Sequence, residues 1–156
     1  MGKQGRTAGR NSGEKGRDEL ARPWIRTFYL ADKAEVVNNK LYVMGGYVDI
    51  TWAPKFPTAI NLTALLTLGI PAILAGHTVK FGIHISSPLV GSIAQIDGTT
   101  VANRGPGQLD ESIPLRAILT LPVLVPVPSP GTIALQATVD GGATERVELR
   151  VIKIAQ

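Results

Sequence analysis

Two histidines are the residues of this chain best suited to acid–base chemistry or metal binding near neutral pH. His77 and His84 lie seven positions apart in a segment whose apolar residues alternate as in a β-strand. Because successive strand side chains point to opposite faces, this odd spacing places the two imidazoles far apart. We therefore expect no metal site and no cofactor. The sequence contains no cysteine, which excludes a thiolate nucleophile, a cysteine-ligated metal and a disulfide.

The carboxylates also lack a pattern typical of a hydrolase. In each nearby acidic pair, one residue number is odd and the other even, so in a strand the two side chains would point to opposite faces. The two catalytic carboxylates of a hydrolase instead face each other. These pairs are Asp110 with Glu111 and Glu145 with Glu148. No nucleophile elbow, phosphate-binding loop, zinc-protease motif or calcium-loop spacing is present in the sequence. Catalysis would need a pocket that brings Asp32, Asp49 or a histidine together, and we predict that the protein is not an enzyme and has no catalytic residues.

A β-hairpin over Phe28 to Trp52 is the element around which the chain is organised. Asn38 and Asn39 lie between two alternating apolar runs, and asparagine tolerates the positive φ that both central residues of a type I′ turn require. Pairing Val37 with Lys40 predicts that the core face of the ribbon contains Leu30, Val36, Leu41 and Val43. The opposite, more polar face would carry Lys33, Glu35, Lys40, Tyr42 and Met44.

Two positions break this alternation. The apolar phase changes between Val43 and the run Val48, Ile50 and Trp52, so we expect a β-bulge near Gly45 and Gly46 with glycine in the left-handed conformation. Asp32 is a carboxylate on the apolar face, opposite Gly45. We predict a structural role for Asp32, in which it accepts backbone N–H bonds at the bulge.

These residues resemble the opening signature of a family of small, largely actinobacterial β-sandwich proteins of unknown function. The matching pattern is Ala31-Asp32-x-Ala34-x-Val36, then Lys40-Leu41-Tyr42, then Gly45-Gly46. A second match is downstream, where a proline-rich strand end precedes Pro130-Gly131 and a later turn is Asp140-Gly141. The resemblance spans roughly residues 28 to 154. It implies a β-sandwich without an assigned activity and with no catalytic residues to carry over.

Alternating segments continue through the rest of the chain and predict an all-β fold. We expect strands over Ile60–Leu68, Thr78–Ile85 and Ile113–Val125, one helical turn between Gly69 and Gly76, and a hairpin turn at Asp97-Gly98. The prolines at 122, 126, 128 and 130 should place their segment at a sheet edge or outside the sheet. Seven to nine strands predict an antiparallel β-sandwich, immunoglobulin-like or jelly-roll-like, with a closed barrel as the alternative.

The net charge of +4 lies entirely near the N-terminus. Residues 1–27 hold seven basic and three acidic side chains, leaving nine of each in the remainder. We expect residues 1–22 to form a flexible basic arm and residues 23–156 a single domain. The arm could contact nucleic acid or another polyanion, or be a solvated tail or the product of a start codon assigned too early. The candidate contacts are Lys3, Arg6, Arg10, Lys15 and Arg17.

The leading hypothesis for function is a binding or assembly module that acts through protein–protein contacts. Trp24 and Tyr42 fall outside the predicted core face, and exposed aromatic side chains are enriched at interfaces, so we predict that they contact a partner or a second copy. The alternative is a structural component of a phage-like particle or another large assembly, with the arm on nucleic acid or a neighbouring subunit. No signal peptide or membrane-spanning run is recognisable, and we expect a cytoplasmic protein without membrane contact.

Overall fold

A computed structural model describes residues 22–107, 110, 112–140 and 142–155. The predicted arm lies outside these residues except for Arg22. The described residues form nine strands and one short 3₁₀ turn, η1 (Ala72–Leu74). The strands are β1 (Trp24–Val37), β2 (Lys40–Gly46), β3 (Ile50–Ala53), β4 (Thr58–Ile70), β5 (Thr78–Ser87), β6 (Gly91–Val101), β7 (Leu115–Val127), β8 (Gly131–Val139) and β9 (Ala143–Lys153).

The strands form two sheets that pack face to face. Sheet A has the order β2-β1-β4-β7, and sheet B has the order β3-β9-β8-β5-β6. Neighbouring strands are antiparallel except for β3 and β9, which pair in parallel. The predicted all-β sandwich is confirmed, and the two separate sheets exclude the closed barrel. The parallel pair was not predicted.

The core lies between the sheets and follows directly from strand alternation. On β5, Val79, Phe81, Ile83 and Ile85 point inward and are buried, as the sequence predicts. Fully buried large side chains come from both sheets, and each stabilises the fold by about 1.5–3 kcal/mol relative to an exposed position. They include Leu30, Leu66, Leu68 and Val125 from sheet A, and Ile133, Leu135 and Leu149 from sheet B.

The β1–β2 hairpin has the expected register, but its distal half projects beyond the core. Asn38 and Asn39 have φ of 51° and 60°, and Val37 pairs with Lys40. β1 pairs with β4 only through Ala31, so the later part of β1 has β2 as its one partner among the described strands. Of the predicted core face only Leu30 is buried. Val36 is 40% exposed, and Leu41 and Val43 are half-buried. The prediction was wrong for these three because alternation identifies a face but does not show whether a second sheet covers it.

The phase change after β2 arises mainly because the chain moves from sheet A to sheet B. Gly45 has the expected left-handed φ of 58°, but β2 ends at Gly46 and β3 pairs with β9 in the other sheet. Val48 packs against the core, whereas Ile50 and Trp52 are exposed on the outside of sheet B. The prediction that the even positions continue one apolar face was therefore wrong beyond Val48.

The predicted turn at Asp97-Gly98 was also wrong, since β6 runs through it without interruption. Gly98 is required there for space. A Cβ at this position would lie 2.4 Å from Cζ of Phe81, which packs over the glycine from β5. The chain instead reverses between β5 and β6 at residues 88–90. A hairpin signal in sequence can thus be a packing requirement within a strand.

The prolines of β7 lie at the edge of sheet A, as predicted. Pro122 is opposite Thr63 and Pro126 is opposite Ala59 on the single neighbouring strand, β4. Because proline has no N–H to donate, it suits the free side of an edge strand and discourages further pairing there. One edge of sheet A is therefore protected.

The connector between β4 and β5 contains the expected helical turn, which is the 3₁₀ turn η1. Leu74 N–H donates to the Pro71 carbonyl at 2.9 Å, and Ala75 N–H donates to the Ala72 carbonyl at 3.1 Å. Within the described part of the chain, no helix is long and apolar enough to cross a membrane.

Candidate functional site

The two histidines lie apart, one just before β5 and one within it. His77 precedes β5, and its Nδ1 lies 3.3 Å from the Ala75 carbonyl. His84 lies within β5, where its Nε2 is 2.8 Å from Oγ of Ser92 on β6. Among the described residues, no cluster of three or more histidine, aspartate or glutamate side chains could hold a metal ion.

The His84–Ser92 pair is a contact that the sequence did not indicate, because the strand register brings the two together. A histidine in hydrogen-bond reach of a serine hydroxyl has the geometry of a base and a nucleophile. In the described residues, no third group hydrogen-bonds to the other ring nitrogen, Nδ1, to orient the imidazole. The pair lies on the exposed outer face of sheet B.

Asp32 lies directly over Gly45. A Cβ at Gly45 would be 2.0 Å from Oδ2 of Asp32 and 2.6 Å from its Cγ. The position therefore requires glycine both for space and for its φ of 58°. Asp32 is exposed, and no backbone N–H of the described chain donates to its carboxylate. It fills space above the bend in β2, which differs from the predicted role as a buried acceptor.

Trp24 and Tyr42, the predicted interface residues, do not form one surface. Both lie on the outer face of sheet A, but Tyr42 pairs with Glu35, eleven positions beyond Trp24 on β1. That spacing corresponds to roughly 35 Å along the strand. The Trp24 ring packs on Gly69, where an added Cβ would lie 2.2 Å from Cε2, and this tryptophan is 36% exposed. Trp24 thus covers its own sheet, while Tyr42 is 52% exposed.

Between these two ends, outward side chains of β1 and β2, together with Tyr47 just after β2, form a largely exposed surface, here called the tyrosine face. Lys33 pairs with Met44 and Glu35 pairs with Tyr42, so two charged and two large apolar side chains lie side by side. Met44 is 60% exposed. The tyrosine face consists of Tyr29, Lys33, Glu35, Tyr42, Met44 and Tyr47.

Tyr47 is the most unusual residue of the tyrosine face. Its φ is 59°, in the left-handed region that a bulky side chain adopts only at a cost of about 1–3 kcal/mol. Its ring stacks on Tyr29 with centroids 4.3 Å apart and planes inclined by 13°, yet the residue is 74% exposed. Strained residues that persist at the surface are enriched at binding and switch sites. The sequence did not indicate Tyr47, because its placement depends on the bend after Gly46.

The stacked pair also changes the ionisation of Tyr29. Burial beneath its neighbours raises the pKa of the Tyr29 phenol, and the adjacent Tyr47 raises this pKa further. Both effects disfavour the phenolate form of Tyr29. Tyr29 therefore presents aromatic surface and a hydroxyl group rather than charge.

A shallow groove of about 240 Å³ runs over the distal part of the tyrosine face. Its walls are the side chains of Lys33, Glu35, Tyr42 and Met44, with Ala34 and Val43 also in the lining. Cavities that enclose drug-sized molecules usually have about 300–1,000 Å³. A larger hollow of about 420 Å³ lies at Pro54 and residues 153–155, where Lys153 is the single ionisable side chain of the lining. Neither lining combines an acid and a histidine.

The predicted polyanion contacts, Lys3, Arg6, Arg10, Lys15 and Arg17, lie outside the described residues. The predicted structural residues Asn38, Asn39, Gly45 and Gly46 are found in the turn and the bend of the hairpin. The hairpin therefore brings together Tyr42, Met44 and the stacked tyrosines, whereas Trp24 and the histidines lie elsewhere.

Comparisons with known proteins match the chain to a family of unknown function. A family model described as a family of unknown function, DUF6941, matches residues 26–152. No curated protein matches the chain. Among solved structures, the chain is similar to the CARDB domain of a Pyrococcus furiosus protein in complex with di-metal ions, at 11% identity and a TM-score of 0.43, covering 84% of this chain and 90% of that chain.

Proposed function

The chain belongs to DUF6941, a family of unknown function, and we propose that it is a non-enzymatic binding module that contacts a protein partner through the tyrosine face. The expected resemblance to a family of unknown function thus agrees with the family match. The contact surface that we propose is centred on Tyr42, Met44 and Tyr47. It keeps Tyr42 from the interface predicted from the sequence but not Trp24.

One observation carries this proposal: Tyr42, Met44 and Tyr47 are large side chains that are mostly exposed, and Tyr47 stacks on Tyr29 of the same face. Tyrosine and methionine are enriched at protein interfaces because they supply a large contact area with adaptable or amphipathic surfaces. An exposed Tyr47 in a strained conformation adds little to the stability of the isolated domain. Contact between its exposed ring and a partner would offset the cost of that conformation.

The shape of the surface favours a macromolecule over a small ligand. The groove is shallow, and its lining combines the large side chains of Tyr42 and Met44 with the charged Lys33 and Glu35. Aromatic residues and methionine are enriched at protein interfaces. Lys33 and Glu35 carry opposite charges, so the lining of the groove has no net charge that would attract a polyanion.

Native mass spectrometry of the full chain, purified gently from its own host, tests this proposal. We expect the wild-type chain to co-purify with a discrete protein, Met44→Glu to lose it, and Thr99→Ala to retain it. Thr99 is a matched control because it is an exposed strand residue in the other sheet. A partner that Met44→Glu retains, or a bare monomer at every protein concentration of the wild-type preparation, would contradict the proposal.

The second candidate is a structural component of a large assembly, in which the basic N-terminus contacts nucleic acid or a neighbouring subunit. It is supported by the charge of residues 1–27, which hold seven basic and three acidic side chains. Nucleic-acid binding by this segment would weaken steeply with salt, whereas contact through the tyrosine face would change little.

A further inference from the structure

We propose that the tyrosine-face partner is a second copy of this chain, and that the two copies pair edge to edge through β2 as antiparallel strands. This inference rests on the proposed function, since it names the occupant of that surface. The pairing would join the two copies of sheet A into one continuous sheet.

Three of the four edge strands are poorly suited to pairing. β7 contains Pro122 and Pro126, β3 has four residues, and β6 carries the charge of Asp97 near its middle. Proline, short length and charge are the usual devices that prevent strands from pairing at an exposed edge. β2 has seven residues and no proline, its one charged side chain is Lys40 at its first position, and Leu41 to Met44 form an uncharged run. It is therefore the edge best able to accept another strand.

The hairpin register identifies which backbone groups of β2 are available. In a two-residue hairpin the flanking pair, Val37 and Lys40, exchanges hydrogen bonds, and the pattern then alternates along the ribbon. Tyr42 and Met44 consequently direct their backbone N–H and C=O toward β1. Leu41 and Val43 direct theirs away from β1, toward the free edge, where a second strand can pair with them.

Charge complementarity favours one antiparallel register, in which Val43 lies opposite Val43 of the second copy. Tyr42 then lies opposite Met44 of the second copy, which favours a contact between sulfur and an aromatic ring. On the outer face, side chains of the four adjacent strands then line up in rows that cross the joined sheet. Since Lys33 pairs with Met44 and Glu35 with Tyr42, each row contains Lys33 and Met44 of one copy, followed by Tyr42 and Glu35 of the other. Each row has an apolar centre and opposite charges at its ends.

The neighbouring registers lack this match. A shift of two residues in one direction places Tyr42 opposite itself, so that a row begins and ends with Glu35. The opposite shift places Met44 opposite itself, and its row begins and ends with Lys33. Like charges in one row oppose pairing, although their separation makes the effect modest. The interface is small, so we expect weak, concentration-dependent association.

Disulfide trapping can test both the partner and the register, because the chain has no native cysteine. Facing residues of a hydrogen-bonded pair have Cα atoms about 5.5 Å apart, a separation that a disulfide can bridge. We expect Val43→Cys to form a covalent dimer under mild oxidation roughly tenfold faster or more than Thr99→Cys, because association raises the effective thiol concentration. Tyr42→Cys should oxidise more slowly than Val43→Cys.

Val43→Cys oxidation no faster than that of Thr99→Cys would refute pairing through β2. Faster oxidation of Tyr42→Cys would refute the proposed register. Adding Met44→Glu to Val43→Cys should abolish the fast oxidation, because it buries a carboxylate in the apolar row. If trapping fails while Met44→Glu still removes a different co-purifying protein, self-pairing is refuted and the proposed function stands. If both experiments fail, the proposed function fails as well.

Discussion

Replacing Tyr47 by glycine and by alanine should give a stability order opposite to the usual one. At most strand positions alanine is more stable than glycine, because glycine loses more backbone entropy on folding. Tyr47 has a φ of 59°, which glycine adopts without steric cost and alanine does not. Both substitutions remove the stack on Tyr29, so the difference between them reports the backbone conformation alone.

The expected magnitudes follow from three contributions. Loss of the aromatic stack costs about 0.5–1.5 kcal/mol in both variants. The left-handed conformation costs a residue with a Cβ about 1–2 kcal/mol, and glycine recovers this at an entropy cost of about 0.5–1 kcal/mol. We therefore expect Tyr47→Ala to lie about 1 kcal/mol below wild type and Tyr47→Gly close to wild type. A difference of about 1 kcal/mol corresponds to roughly 3 °C in Tm for a chain of this size.

Urea unfolding monitored by tryptophan fluorescence measures both free energies of unfolding. Lys33 provides the control, since it lies on the same outer face with an ordinary φ, and there alanine should be more stable than glycine. If Tyr47→Ala is as stable as Tyr47→Gly or more stable, Tyr47 is not strained. The backbone conformation of Tyr47 would then not support contact with a partner.

Three further predictions concern the core, the stacked pair and the N-terminal charge. Gly98→Ala should lower the free energy of unfolding by about 1–3 kcal/mol through its clash with the Phe81 ring, and Phe81→Leu in the same chain should recover part of that loss in urea unfolding; an undisturbed single variant would contradict the packing. An absorbance titration should find the pKa of Tyr29 above its ordinary value, and this pKa should be lower in Tyr47→Phe. Because the folded state binds the phenol proton more tightly, the contribution of Tyr29 to the free energy of unfolding is complete below the ordinary pKa and is lost as pH rises through the folded pKa. An unchanged pKa of Tyr29 in the variant would be evidence against the stack. Deleting residues 1–22 should abolish any salt-sensitive binding to heparin, and undiminished binding would locate that contact elsewhere.

Local patterns predicted the parts of the fold that depend on neighbouring residues. The asparagine pair, the hairpin register and the inward residues of β5 all follow from side-chain alternation and turn conformation. The positions of β2 and β3 could not be predicted from these patterns, because they depend on which sheet each strand joins. Alternation places Ile50 and Trp52 on a face but does not distinguish the core from the solvent side of the other sheet.

The candidate site was predictable in part for the same reason. Tyr42 and Met44 were assigned to the polar outer face of the hairpin, where the structure has them. Tyr47 was missed because the bend after Gly46 and the stack on Tyr29 arise from backbone geometry that residue types alone do not specify. Trp24 was placed correctly outside the core, but its packing on Gly69 could not be anticipated.

Photo-crosslinking in the native host tests the binding surface most directly. A benzophenone amino acid would replace Tyr42 on the tyrosine face or, as the control, Thr99 on β6. We predict one discrete protein adduct from position 42, none from position 99, and loss of the adduct when Met44→Glu is added. An adduct that forms equally from both positions, or from position 99 alone, would contradict the proposal that this protein binds its partner through the tyrosine face.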